Sequence, residues 1–318
     1  MIFSLILWST FKNSFDDAIE DLKNAGLRIT RKNIFCFTDL NFENAVKKIY
    51  EPDSIADWKI VKKLDELNKR EKIVCYLEVE IPVPKYRIKS DGRSISIVTE
   101  DIKRFIRQKY SYLKPFEGKP DVLIHMGDTH EHTNFVFSNL RKFCKKELLL
   151  SALFKKLSNI DYALTKVDTP FQQKGFPQEY TKGKDIDILV SEKDSFELFE
   201  IINKFSDEHS GIFEVKKIFE KEGFRIRFLN EDKSLHYQLD VKTSNLVMPK
   251  NTILSENNYK NLNLSCEIVS RLQALLKKPH KIHHADFIKE NSIKSNIDMK
   301  ILKEYGILKQ YEELINEK

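Results

Sequence analysis

Asp185 and Asp187 stand two residues apart in the segment Lys182-Gly-Lys-Asp-Ile-Asp-Ile-Leu-Val190. In a strand, side chains at i and i+2 share a face, so both carboxylates project together while Ile186 and Ile188 point to the core. Two carboxylates held ~6–7 Å apart at the end of a buried strand repel one another unless something neutralises them. Hard oxygen donors suit a divalent cation, Mg²⁺ or Mn²⁺. A third acid, Asp240, lies further along in the alternating run Leu235-His-Tyr-Gln-Leu-Asp-Val241. On a neighbouring strand it would complete a two-metal phosphoryl- or nucleotidyl-transfer site. One metal would activate the attacking oxygen and the other would hold the phosphates and the leaving group. Asp185, Asp187 and Asp240 are therefore the expected catalytic residues and metal ligands.

Cations surround these acids in sequence. Arg225 and Arg227 alternate on the run before Asp240. On the acid face they would clamp phosphates; on the other they would pair with surface glutamates. Lys182 and Lys184 flank the Asp pair and would steer phosphate, although loop lysines are most often simply solvated. A separate candidate is His125 in Asp121-Val-Leu-Ile-His-Met-Gly-Asp-Thr129, a strand entering a helix. Histidine is the proton carrier near neutral pH, but a buried strand-end histidine is usually only hydrogen-bonded. A zinc site from His125, His130 and His132 would have poor geometry at a single helix start.

The elements that must position these residues fall into two halves. Ile2–Trp8 reads as a buried strand, residues 14–24 as a helix stopped at Ala25-Gly26, and residues 27–38 as a second strand. Helices over 42–50 and 55–68, a β-rich run over 72–83, a helix over 99–112, a strand over 121–125 and a helix over 129–143 complete an α+β domain. A second unit opens with a helix over 145–157 and an extended piece over 161–165. A loop over 169–184 containing Gly175 and Gly183 leads to the Asp strand, then a helix over 195–205. β runs over 213–219, 223–229 and 235–242 follow, and from about 252 onward the chain reads as helical. The fold class expected is α/β (α+β), with domains over 1–143, 144–250 and 251–318.

Composition bounds the rest. The 318 residues are 41% apolar and 32% charged, with 22 Phe, 9 Gly and 9 Pro, which excludes disorder and collagen-like repeats. The excess of 54 Lys+Arg over 48 Asp+Glu gives +6, and the charges interleave, so a nucleic-acid partner is not expected. Cys36, Cys75, Cys144 and Cys266 form no C-x-x-C pair, so disulfides and cysteine-rich zinc sites are not expected either. The apolar opening is too short to span a bilayer, no longer apolar run exists, and a cytoplasmic location is the default. Oligomeric state is left open.

The order helix, extended piece, glycine-containing loop, D-I-D-I-L-V, helix, hairpin and L-D-V resembles the nucleotidyltransferase superfamily of DNA polymerase β, over residues 145–242. That resemblance implies a minimal nucleotidyltransferase fold with a helical C-terminal tail. It implies Asp185 and Asp187 as ligands bridging both metals, and Asp240 as ligand of the catalytic metal. It also places His283 of Pro279-His-Lys-Ile-His-His284 near a nucleotide. The family's Gly-Gly or Gly-Ser pair is replaced here by Gly175-Phe176 and Gly183, a pattern similar to the phosphocholine-transferase and fukutin-like branch. Members of that branch move a phospho-alcohol from a CDP-alcohol to a sugar. The donor implied is thus an NTP or a CDP-alcohol and the acceptor a sugar or glycan, in bacterial surface-polysaccharide (capsule) assembly. Residues 121–129 resemble the active-site segment of nucleoside diphosphate kinases, which implies a ferredoxin-like N-terminal domain, with His125 as its phosphorylated histidine if that domain is active. Two other readings compete: a nucleotidyltransferase-like toxin or defence enzyme acting on RNA or protein, and a non-catalytic nucleotide-binding scaffold.

Overall fold

The computed structural model describes residues 1–11, 15–53, 55–90, 92–113, 121–166, 175–294 and 296–316. Part of the glycine-containing loop read over 169–184, residues 169–174, lies outside them, as does Ser14 at the start of the first helix. The protein is an α/β chain that divides into two compact units, one of residues Met1–Leu148 with Asp207–Phe213, the other of Leu149–Ser206 with Glu214–Lys318.

Unit 1 runs β1 (Ile2–Trp8), α1 (Phe15–Asn24), β2 (Arg28–Cys36), α2 (Asp39–Tyr50), α3 (Asp57–Leu67), β3 (Ile73–Glu80), β4 (Tyr86–Ile88), β5 (Ser94–Ser96), α4 (Ile97–Lys109), β6 (Ile124–Met126) and α5 (His132–Phe143). Its main sheet has the order β2-β3-β1-β6 with every neighbour antiparallel, the βαββαβ connectivity of a ferredoxin-like sheet carrying α2 and α3 as an insertion. The apolar opening is a central strand: Phe3, Leu5, Ile6, Leu7 and Trp8 are fully buried. The small hairpin β4–β5 was not legible as strands, because three residues give too few alternations to show a period. The strand read over 121–125 is three residues long and starts later, and the helix read from 129 starts at His132.

Unit 2 continues with α6 (Leu150–Lys156), β7 (Tyr162–Thr165), β8 (Lys184–Val190), α7 (Ser195–His209), β9 (Glu214–Glu220), β10 (Gly223–Leu229), β11 (Leu235–Thr243), β12 (Thr252–Leu254), β13 (Lys260–Leu262), α8 (Leu264–Lys277), α9 (Ile282–Lys294), α10 (Met299–Glu304) and α11 (Leu308–Asn316). Seven strands form a mixed sheet in the order β12-β13-β7-β8-β11-β10-β9. β8 and β11 are parallel; β7 runs antiparallel to β8, and β10 antiparallel to β11 and β9.

Two expectations need correction in this half. The helix read over 145–157 begins only at Leu150. The chain after 252 is not uniformly helical, since β12 and β13 add two strands to the sheet before α8. Cys266, Val269 and Leu272 of α8 pack in one core with Ala163 and Leu189. Asn263 caps α8 by accepting from the Cys266 N–H at 2.9 Å, which sets Glu267 in the helix's first turn. All four cysteines are free. Among the described residues no helix is long and apolar enough to cross a membrane.

Candidate functional site

The sheet register builds the acid face. On β8 the pattern runs Asp185 exposed, Ile186 buried, Asp187 half-buried and Ile188 buried, so the acids alternate with core contacts. Asp240 on β11 is the register partner of Asp187, and Gln238 that of Asp185. On β10, Arg225 opposes Asp240 and Arg227 opposes Gln238. Register partners share a sheet face, so two polar rows cross the strands: Thr165–Asp187–Asp240–Arg225 and Asp185–Gln238–Arg227. Asp185, Asp187, Asp240, Arg225 and Arg227 therefore all stand on one face, set by the pairing of β8, β11 and β10.

Each acid is met by a different environment. Asp187 carries a salt bridge from the Lys166 ammonium. Asp240 is only 6% exposed and pairs with Arg225 at 3.2 Å, while the same guanidinium nitrogen reaches Glu220 at 3.1 Å. Burial works against the Arg225 charge, but Asp240, Glu220 and Asp185 together outweigh it and hold the guanidinium above its usual value. Arg227 donates from Nε to the Gln238 side-chain oxygen at 2.8 Å.

A cavity of about 250 Å³ opens on the Asp pair, with Asp185, Asp187, Lys166, Lys184, Lys281 and His283 on its wall beside Phe176, Tyr180 and Tyr237. Lys184 and His283 are thus brought to the acids. Lys182 is exposed and not on that wall, and neither are Asp240, Arg225 or Arg227. Burial, with Lys281 next, lowers the His283 imidazole below its ordinary value. His284 beside it is fully buried and pushed down to about 4, first by burial and then by His283. Sequence reasoning missed Lys166, Lys281, Tyr180 and Tyr237. Lys166 directly follows the apolar strand Tyr162–Thr165, but only the β7–β8 pairing shows that this position faces an acid.

Carboxylate oxygens are the donor type that a hard divalent cation takes. Three carboxylates share a face, and Asp240 Oδ1 is buried with no hydrogen-bond partner among the described residues, a vacancy that a ligand would satisfy. The arrangement is not closed around an ion as it stands. Among the described residues no three His, Cys, Asp or Glu side chains come together as a metal-holding group, and Lys166 and Arg225 already neutralise two of the acids.

His125 belongs to unit 1 and lies in a buried polar cluster. Its Nδ1 faces Asp53 at 3.7 Å, and His132 approaches the same carboxylate at 3.5 Å. Tyr50 packs edge-on at 4.4 Å between ring centroids. Burial pushes the His125 imidazole down to about 3. A nucleophilic role through Nδ1 would bring a phosphate against the Asp53 carboxylate. The four cations of α4 are likewise spent on acids, Lys103 on Glu100 and Asp128, Arg104 on Asp101, Arg107 on Asp121 and Lys109 on Asp21.

No family model matches the chain, and no curated protein matches it significantly. Among solved structures it is similar to a nucleoside-diphosphate kinase from Borrelia burgdorferi with bound vanadate and ADP, at 15% identity over 42% of this chain and 83% of that one, TM-score 0.25. It is also similar to JHP933 from Helicobacter pylori, at 14% identity over 52% and 86%, TM-score 0.26. A candidate nucleotidyltransferase from H. pylori gives 14% over 52% and 87%, TM-score 0.26. Scores this low leave the functional argument to the site itself.

Proposed function

We propose that unit 2 is a metal-dependent transferase that moves a nucleotidyl or phospho-alcohol group from a nucleotide donor, an NTP or a CDP-alcohol, to a sugar or glycan hydroxyl. The observation that carries this reading is the in-register pairing of Asp187 with Asp240, with Asp185 on the same face, beside a cavity walled by Lys166, Lys184, Lys281 and His283. In this reading Asp185, Asp187 and Asp240 hold Mg²⁺ or Mn²⁺. The ion supplies Lewis-acid polarisation of the transferred phosphoryl group and charge relief at the leaving oxygen. Lys184 and Lys281 would bind and orient the donor phosphates by charge, and the His283 imidazole, held below its ordinary value, would add a hydrogen bond. Arg225 pairs with the buried Asp240 and fixes the orientation of its carboxylate. Surface-polysaccharide assembly as the setting is part of the same proposal.

A second reading has one observation in its favour. Lys166 and Arg225 already pair with Asp187 and Asp240, as they would in a nucleotide-binding scaffold without turnover. Product analysis separates the two. The protein is incubated with Mg²⁺ or Mn²⁺, a panel of NTPs and CDP-alcohols, and sugar acceptors. Metal-dependent pyrophosphate release identifies nucleotidyl transfer, and CMP release identifies phospho-alcohol transfer. Donor binding with no product identifies the scaffold.

A further inference from the structure

Lys166 follows β7 in a left-handed conformation, φ +62°, which residues bearing a Cβ adopt at a cost. The cause is visible on α8. The Lys166 backbone N–H donates to Glu267 Oε1 at 2.9 Å. The same oxygen accepts from Arg271 Nε at 2.6 Å, one turn along the helix. Glu267 is 7% exposed and Arg271 2%, and the guanidinium lies 3.6 Å from the Phe287 ring centroid. A carboxylate buried this deeply persists only because the guanidinium compensates it; burial raises its pKa and Arg271 opposes that rise. The far end of Lys166 then meets Asp187 on the cavity wall. A surface lysine–aspartate pair needs no such support, and a glycine at this turn would adopt the same φ without strain.

We infer that Lys166 is a built-in counter-cation, positioned by the buried Glu267–Arg271 pair, that occupies Asp187 while the acid face is empty and must leave it when a divalent ion binds. The inference rests on the metal-site reading above. It makes Lys166 a competitor of the metal for one carboxylate, and Glu267 the residue that holds the competitor in place.

The test is Mn²⁺ binding to the full-length protein, followed by electron paramagnetic resonance without any nucleotide or turnover. Asp187→Ala identifies the ion held at this site. Lys166→Met should bind Mn²⁺ about tenfold more tightly than the parent, because an opposing charge has gone. Glu267→Ala should raise affinity in the same direction, Glu267→Gln should restore the parental value by keeping an acceptor for the Lys166 N–H, and Glu267→Ala should add nothing once Lys166 is Met. Mn²⁺ binding that is lost in Asp187→Ala but unchanged in Lys166→Met would overturn the inference and leave the metal site standing. Absence of bound Mn²⁺ from both the parent and Lys166→Met would overturn the metal-site reading together with it.

Discussion

At the scale of single residues, Asp240 is the most constrained of the three acids. It is buried, its Oδ2 is tied to Arg225, and its Oδ1 has no partner among the described residues. Removing one member of such a pair strands the other. Arg225→Met should therefore destabilise the protein by roughly 2–3 kcal/mol, read from the denaturant midpoint, and Asp240→Asn in the same chain should recover much of it. An Arg225→Met protein as stable as the parent would show that the pair is solvated. The D-x-D and the late Asp were legible in the sequence because alternation alone fixes which side chains share a face. Lys166, Glu267 and Arg271 were not. Their meeting depends on an antiparallel neighbour and on a helix some hundred residues away in sequence, and neither leaves a short-range pattern.

At the scale of elements, the hairpin β9–β10 and the parallel pair β8–β11 set the acid register. Gly223 opens β10 where the two backbones approach closely: a Cβ there would lie 2.0 Å from the Val241 carbonyl oxygen and 3.0 Å from the Lys242 Cα. Backbone atoms cannot yield as a flexible side-chain end would. Gly223→Ala should cost on the order of 3 kcal/mol, seen as a lowered melting temperature, whereas Gly26→Ala should cost less, having no atom within 4 Å and only its positive φ against it. Equal losses at the two glycines would contradict the register argument. The longer strands of this half were readable because buried and exposed positions alternate along β10 and the Asp strand. β12 and β13 were not, because Thr252–Leu254 and Lys260–Leu262 are three-residue pieces, too short to show an alternation, followed by amphipathic helices whose periodicity dominates the region.

At the scale of the whole molecule, the two units carry different kinds of buried charge. In unit 1, Asp53, Lys63, Lys103 and His132 surround His125, and burial drops that imidazole from 6.5 to about 3. The native state thus holds His125 neutral where the unfolded chain protonates it. Stability should be full above about pH 6.5 and fall as pH drops towards 3, by on the order of 4–5 kcal/mol from this group. Thermal melts across that window should show a shallower acid-side loss for His125→Gln, and an unchanged slope would remove His125 as the cause. The net charge of +6, spread through interleaved lysines and glutamates, predicts weak RNA binding whose dependence on salt corresponds to only about one or two phosphate contacts. A steep salt slope in an RNA titration would instead favour a nucleic-acid substrate. The α/β class and the two-part organisation were readable from the order of elements, whereas the donor and acceptor have no counterpart in residue patterns. The central claim, that the shared acid face performs transfer, is tested most directly by the rate of donor cleavage in Mn²⁺ for the parent against Asp187→Asn. The account predicts metal-dependent cleavage that falls about 10³-fold in the variant. Cleavage that is equal in the two proteins, or that persists with the metal chelated, would contradict it.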